Sequence, residues 1–171
     1  MLQFGILTDV NLGMEFFREY FDRLEWTVTN FNVDSFEGES ENTDVQYLIK
    51  HIPPEMHDIK LRKFLLGQFK KYGIKTKDFR CDFFMVKAGD DMPPHVDVDS
   101  EIAFLMPLNE NTGTLGIKDR SGEVRIIYNN MFILNTKKVH WVEPVKEDRL
   151  VFRVAIRDFS YMDLNVWKNV N

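Results

Sequence analysis

The chain has 171 residues, 44% of them hydrophobic and 13% aromatic, enough apolar surface for one folded domain and too much for an intrinsically disordered segment. A net charge of −5 argues against generic binding to nucleic acid or to an anionic membrane, and one cysteine, Cys81, excludes an internal disulfide and a zinc–thiolate site. No apolar run approaches the roughly 20 residues of a membrane span and no basic-then-apolar leader opens the sequence, so the expectation is a soluble, cytoplasmic protein.

In chain order, the first helical signal covers 12–24, where Leu12, Phe16, Tyr20 and Phe17, Phe21, Leu24 recur at helical spacing and Asp9 or Asn11 can cap. Segments 26–33 and 45–49 read as edge strands. Between them, 34–44 reads as an exposed acidic loop; Glu37, Glu39, Glu41 and Asp44 lack the oxygen-ligand spacing of a metal loop. A better-marked helix runs over 54–72. Pro54 suits its first position, Lys70 and Lys71 fall in its last turn, and Gly73 stops it. Ile59, Leu61, Leu65, Leu66 and Phe69 form its expected buried stripe, with Lys60, Lys63, Lys70 and Lys71 on a solvated side.

After residue 77 the texture changes. Runs rich in Phe, Val, Ile and Leu follow at 79–87, 101–108, 114–117, 123–128, 131–134, 139–142 and 149–156, separated by turns bearing Gly, Asn and Asp. Strands this closely spaced predict an all-β sandwich or barrel with the helices packed outside it. The expected organisation is a single domain over 1–171, with 1–77 a helical and edge-strand buttress and 78–158 the β core.

The chain has four histidines. His51 and His57 lie in no partner pattern and read as surface or structural. His95 stands in the string Pro93-Pro94-His95-Val96-Asp97; on an extended chain residues two apart point the same way, so His95 and Asp97 can converge on one point. His140 lies in a later strand, within Val139-His140-Trp141-Val142-Glu143-Pro144. Two imidazoles and one carboxylate make the facial triad that suits Fe(II) and leaves the opposite face of the metal open.

Arg149 opens a strand in which Arg149, Val151, Arg153 and Ala155 share one face and Leu150, Phe152, Val154 and Ile156 the other, apolar one. A guanidinium on the pocket side of a β core is costly unless it meets an anion, and its planar fork suits a carboxylate. On an exposed face it would pair instead with Asp148 or Glu147.

Together these features resemble the double-stranded β-helix core of the Fe(II)/2-oxoglutarate-dependent oxygenases. The matching pieces are the Gly89 turn, His95-Val96-Asp97, the strand ending Pro107-Leu108-Asn109, Phe132 to Asn135, His140-Trp141-Val142-Glu143-Pro144, and Arg149 heading the last core strand. His95-Val96-Asp97 and the His-x-Val-x-Pro run look like prolyl hydroxylases. The short interval between His95 and His140 suits the aspartyl/asparaginyl β-hydroxylase-like group equally.

The resemblance implies a mainly β fold with flanking α, a jelly-roll or cupin-like core buttressed by the N-terminal helices. It implies a catalytic set of His95, Asp97 and His140 holding Fe(II), 2-oxoglutarate as cosubstrate bound through Arg149, and O2. The implied activity is that of a dioxygenase hydroxylating an unactivated C–H bond in a protein side chain, an amino acid or a small metabolite, so the partner is a small molecule or a peptide.

Relatives often place Tyr before the Gly turn, and Tyr, Thr or Arg in the strand after the Asp. Here Met85, Val86 and Lys87, then Ala103, Leu105 and Pro107, occupy those places, so the cosubstrate would lean on Arg149 and Arg153. The alternative is a non-catalytic cupin-like barrel binding a metal or small ligand, which needs no arginine near the histidines.

Overall fold

Strand β1 (Gly5–Leu7) is followed by helix α1 (Gly13–Arg23), strands β2 (Thr27–Asn32) and β3 (Asp44–Ile52), and helix α2 (Ile59–Tyr72). Eight strands then follow without a helix between them: β4 (Phe79–Val86), β5 (Met92–His95), β6 (Ile102–Pro107), β7 (Leu115–Asp119), β8 (Gly122–Ile126), β9 (Phe132–Asn135), β10 (His140–Val142) and β11 (Arg149–Ile156). A short helix, α3 (Asn165–Lys168), ends the described chain. The structure is a computed structural model and describes residues 4–32, 44–110, 113–120 and 122–168.

The strands form a seven-stranded sheet, ordered β1-β9-β6-β11-β4-β3-β2, and a four-stranded sheet, ordered β5-β10-β7-β8. From β4 onward the chain winds between them. Strands β4, β6, β9 and β11 join the large sheet, and β5, β7, β8 and β10 the small one. That winding, antiparallel throughout, is the double-stranded β-helix expected from the strand spacing.

Alternation along β11 builds the two cores. Phe152, Val154 and Ile156 point to one side of the large sheet, where they meet Phe17 of α1 and Leu61, Leu65, Phe69 and Tyr72 of α2. Phe17 stacks on Phe152 with ring centroids 4.2 Å apart. Val151 points to the other side, into an apolar layer between the sheets with Val86, Leu105, Leu115, Ile117 and Val142. Each fully buried side chain of this size contributes roughly 1.5–3 kcal/mol. The helices therefore clamp one face of the large sheet and leave the inter-sheet space to the site.

Several local expectations need correction. Helix α2 starts at Ile59, because Pro54–Met56 forms a separate 3-10 turn and Asp58 is the true cap, its carboxylate accepting from Leu61 N at 2.9 Å. The buried stripe is Leu61, Leu65, Phe69 and Tyr72, while Ile59 and Leu66 are 85% and 64% exposed. At about 100° per residue, Leu66 is turned a quarter-circle from Leu65, and Ile59 faces away from Leu61.

At the far end Gly73 adopts a left-handed φ of 71°, and a Cβ there would lie 2.3 Å from the Asn165 side chain, so both backbone and packing demand glycine. At α1, Asn11 accepts from Gly13 N at 2.9 Å, whereas Asp9 pairs with Lys71. Strand β2 is an edge, but β3 lies inside it, paired to both β2 and β4. The acidic stretch falls outside the described residues as far as Asp44, where β3 begins.

Candidate metal centre

Strand β5 contains Pro93 and Pro94, which lack an N–H to donate, and it lies at the edge of the small sheet, where that lack does least harm. Its last residue, His95, sits directly opposite His140 of β10. The two imidazoles are 4.3 Å apart between centroids. Two residues on, the chain turns so that Asp97 N donates to Thr136 O at 3.0 Å. Asp97 Oδ1 then lies 3.6 Å from His95 Nε2 and 3.7 Å from His140 Nε2. The three potential ligand atoms all fall within 4.8 Å of one another.

Backbone carbonyls set the tautomers. His95 Nδ1 is 2.7 Å from Pro93 O, and His140 Nδ1 is 2.8 Å from Lys138 O. A carbonyl only accepts, so each Nδ1 carries the proton and each Nε2 turns a lone pair toward the centre. Burial lowers the pKa of His95 to about 4, with the neighbouring His140 adding to the effect, and burial lowers that of His140 as well. Both imidazoles are neutral near pH 7, the form a metal ligand requires. Ser100 Oγ donates to Asp97 Oδ2 at 2.8 Å, fixing the carboxylate and leaving Oδ1 toward the imidazoles. Two neutral nitrogens and one carboxylate oxygen, pre-oriented and converging, fit a divalent iron ion.

Arg149 heads β11, 2% exposed, and donates through Nη2 to Tyr128 Oη at 2.6 Å. The exposed-face reading therefore does not apply to it. Asp148 is taken by Lys87 at 2.7 Å and by Ala88 N at 2.9 Å. Tyr128 follows β8 and is 1% exposed; burial pushes its hydroxyl pKa up while Arg149 opposes the rise. It supplies a phenol where Met85, Val86, Ala103, Leu105 and Pro107 are apolar. Nothing in its local sequence marks it, since 123–128 reads as one more strand and its approach to Arg149 depends on how the sheets close.

No family model matches the chain, and no curated protein matches it in sequence. Solved structures do. A Pseudomonas putida prolyl-4-hydroxylase is similar over 83% of this chain and 97% of its own, with a TM-score of 0.53 and 14% identity. A prolyl hydroxylase from Trichoplax adhaerens, solved with a hypoxia inducible factor oxygen degradation domain peptide, is similar over 91% of this chain and 84% of its own, with a TM-score of 0.63 and 14% identity. A 2OG-Fe(II) oxygenase family oxidoreductase from Burkholderia pseudomallei is similar over 81% and 76%, with a TM-score of 0.53 and 12% identity. The chain has the fold of these oxygenases. At such identities the likeness speaks for architecture, and the chemistry has to be argued from the side chains.

Within that fold the other singled-out residues separate cleanly. His57 is buried against Ile52 O at 3.1 Å and stacks on Phe79, a packing role. His51 lies 3.0 Å from Asp82 Oδ1 at the end of β3. Arg153, expected to help with the cosubstrate, donates through Nη2 to Asp82 Oδ2 at 2.9 Å. Asp82 carries no local signal, because a carboxylate beside Arg80 near the start of a strand reads as an exposed pair; its 0% exposure exists only in the folded chain.

Proposed function

We propose that this chain is an Fe(II)- and 2-oxoglutarate-dependent dioxygenase that hydroxylates an unactivated C–H bond of a protein side chain, an amino acid or a small metabolite. The observation that carries the reading is the convergence of His95, Asp97 and His140, with both tautomers set for metal binding, inside an oxygenase fold. Bound there, Fe(II) supplies the coupling of O2 reduction to the oxidative decarboxylation of 2-oxoglutarate, giving succinate, CO2 and a hydroxylated product. Atoms balance, since one oxygen of O2 enters succinate and the other the product.

This chain's residues bind, orient and shield. His95 and His140 contribute no charge and Asp97 one negative charge, so a divalent ion keeps a net positive charge that favours an anionic cosubstrate. Arg149, with the Tyr128 hydroxyl beside it, is positioned to take the far carboxylate of 2-oxoglutarate. Their burial removes the competing water that weakens such a pair at a surface. Val86, Leu105, Val142 and Val151 line the layer between the sheets with groups that neither quench nor compete for a reactive centre. In this proposal the protein acts in the cytoplasm on a small molecule or a peptide rather than on nucleic acid.

An anaerobic titration tests it. Fe(II) followed by 2-oxoglutarate is expected to give a weak visible charge-transfer band in the parent and none in His140→Ala. Metal binding with no band would instead mark a cupin-like ligand binder. No metal binding would reduce the triad to a coincidence of spacing.

A further inference from the structure

The interior face of the large sheet carries a second polar cluster, built on β3, β4 and β11. Asp82 accepts at Oδ2 from Arg80 Nε and from Arg153 Nη2, both at 2.9 Å, and its Oδ1 faces His51 Nδ1 at 3.0 Å. Strand register puts His51 and Arg153 directly opposite Asp82, one on each side. Two guanidiniums thus share one carboxylate, and a positive charge is left over.

The surplus falls on Arg153. Arg80 sits at the rim with its side chain 31% exposed, where water can screen it, while that of Arg153 is 13% exposed. Arg153 uses Nη2 on Asp82, yet its Nε–H is wholly buried and has no acceptor among the described residues. A buried donor without a partner is costly, and charged donors more so. The guanidinium lies 5.4 Å from the centre of the Phe84 ring, which packs on Tyr47 at 4.9 Å with the rings tilted to each other, so an aromatic floor adjoins the guanidinium.

The cluster faces the layer that the triad closes from the small sheet: Arg153 lies opposite Leu105 of β6, and Leu105 packs in one apolar cluster with Ile117, the β7 residue opposite His140. Arg149 cannot be gripping the same ligand from the same place: the two arginines lie four residues apart on one face of β11, roughly 13 Å along the strand.

We propose that Arg153 is the binding residue for a carboxylate on the molecule to be hydroxylated, with Asp82 as the positioning residue that holds its guanidinium beside the metal triad. The placement of the oxidised carbon rests on the oxygenase reading, whereas the anion site stands on the Asp82 cluster itself. A single planar fork over an aromatic floor matches the flat geometry of a carboxylate. That carboxylate belongs either to a free amino acid or to an acidic side chain in a peptide.

Two probe pairs separate these sources: L-leucine against L-leucinamide, and N-acetyl-L-aspartic acid α-amide against N-acetyl-L-asparagine amide. Binding is read by saturation-transfer NMR, and proximity to the centre by line broadening with Mn(II) and 2-oxoglutarate present. In one pair the acid is expected to bind at least tenfold more tightly than its amide and to broaden. That preference is expected to vanish in Arg153→Met and to weaken in Arg153→Lys, which loses the planar fork but keeps a cation for Asp82 in case the former fails to fold.

No acid preference in either pair overturns the proposal, as does a preference that survives Arg153→Met or that Arg153→Lys leaves undiminished. So does a loss of 2-oxoglutarate affinity in Arg153→Lys without probe discrimination in the parent, which would assign Arg153 to the cosubstrate. Failure to bind Mn(II) would sink the oxygenase reading alone, because saturation transfer on the metal-free protein still decides the anion site.

Discussion

A guanidinium buried at the head of β11 needs partners in every state of the protein, and the Tyr128 hydroxyl is one of them. The pair makes unequal predictions. Arg149→Met removes the charge that would meet the far carboxylate, so 2-oxoglutarate binding to the Mn(II)-loaded protein should weaken by about 2–5 kcal/mol in a calorimetric titration. Tyr128→Phe removes one neutral hydroxyl and should cost only about 0.5–1.5 kcal/mol. Equal effects, or none, would show that the cosubstrate does not sit against Arg149. Asp97→Ala should abolish metal retention without unfolding the chain. Its backbone N–H keeps the bond to Thr136 O, and Ser100 Oγ, which loses its carboxylate partner, still has Thr136 Oγ1 within reach at 3.4 Å.

The elements show how a single cap holds a helix in register with the sheet. Asp58 Oδ1 accepts both Leu61 N and, at 2.6 Å, the Tyr20 hydroxyl, so it fixes the start of α2 and ties it to α1. The Leu61 N–H, helped by Tyr20, holds the Asp58 carboxyl below the usual carboxylate range. Because the folded pKa is depressed, the unfolded chain takes up the proton first. The contribution is therefore complete above the unfolded value, about 4, and disappears as pH falls through the lower folded value. Asp58→Ala should lower stability by about 1 kcal/mol at pH 7. Urea titrations should show the parent and variant converging below about pH 4; a constant gap would deny the ionised cap its role.

The start of α2 was hard to read because Pro54 and Asp58 are both good start signals, and only packing against Tyr20 chooses between them. Alternation in β11 and the two-residue spacing of His95 and Asp97 were legible because both are local periodicities. Tyr128 and Asp82 were not, since their partners Arg149 and Arg153 lie far along the chain and meet them only through sheet closure and strand register.

For the molecule as a whole, the site ties stability to pH. Two buried neutral imidazoles face each other and a carboxylate, and each has its pKa lowered by burial. In the unfolded chain a histidine titrates near 6.5. Depressed folded values mean that the unfolded state binds more protons below that pH. The metal-free protein should therefore lose stability as pH falls from about 6.5 toward the value of about 4 held by His95. A divalent ion acts in the opposite direction by binding only the folded arrangement. At a hundredfold excess over its dissociation constant it should add about 2.7 kcal/mol. For a chain of this size that raises the melting temperature by roughly 5–11 °C. Calorimetric scans at pH 7.5 and pH 5, with and without Mn(II), measure both effects. The increment should change little between these two values, because His95, with its pKa lowered to about 4, stays neutral at both, and it should be absent in His140→Ala. An increment that persists in that variant would place the ion elsewhere and detach the fold's stability from the triad.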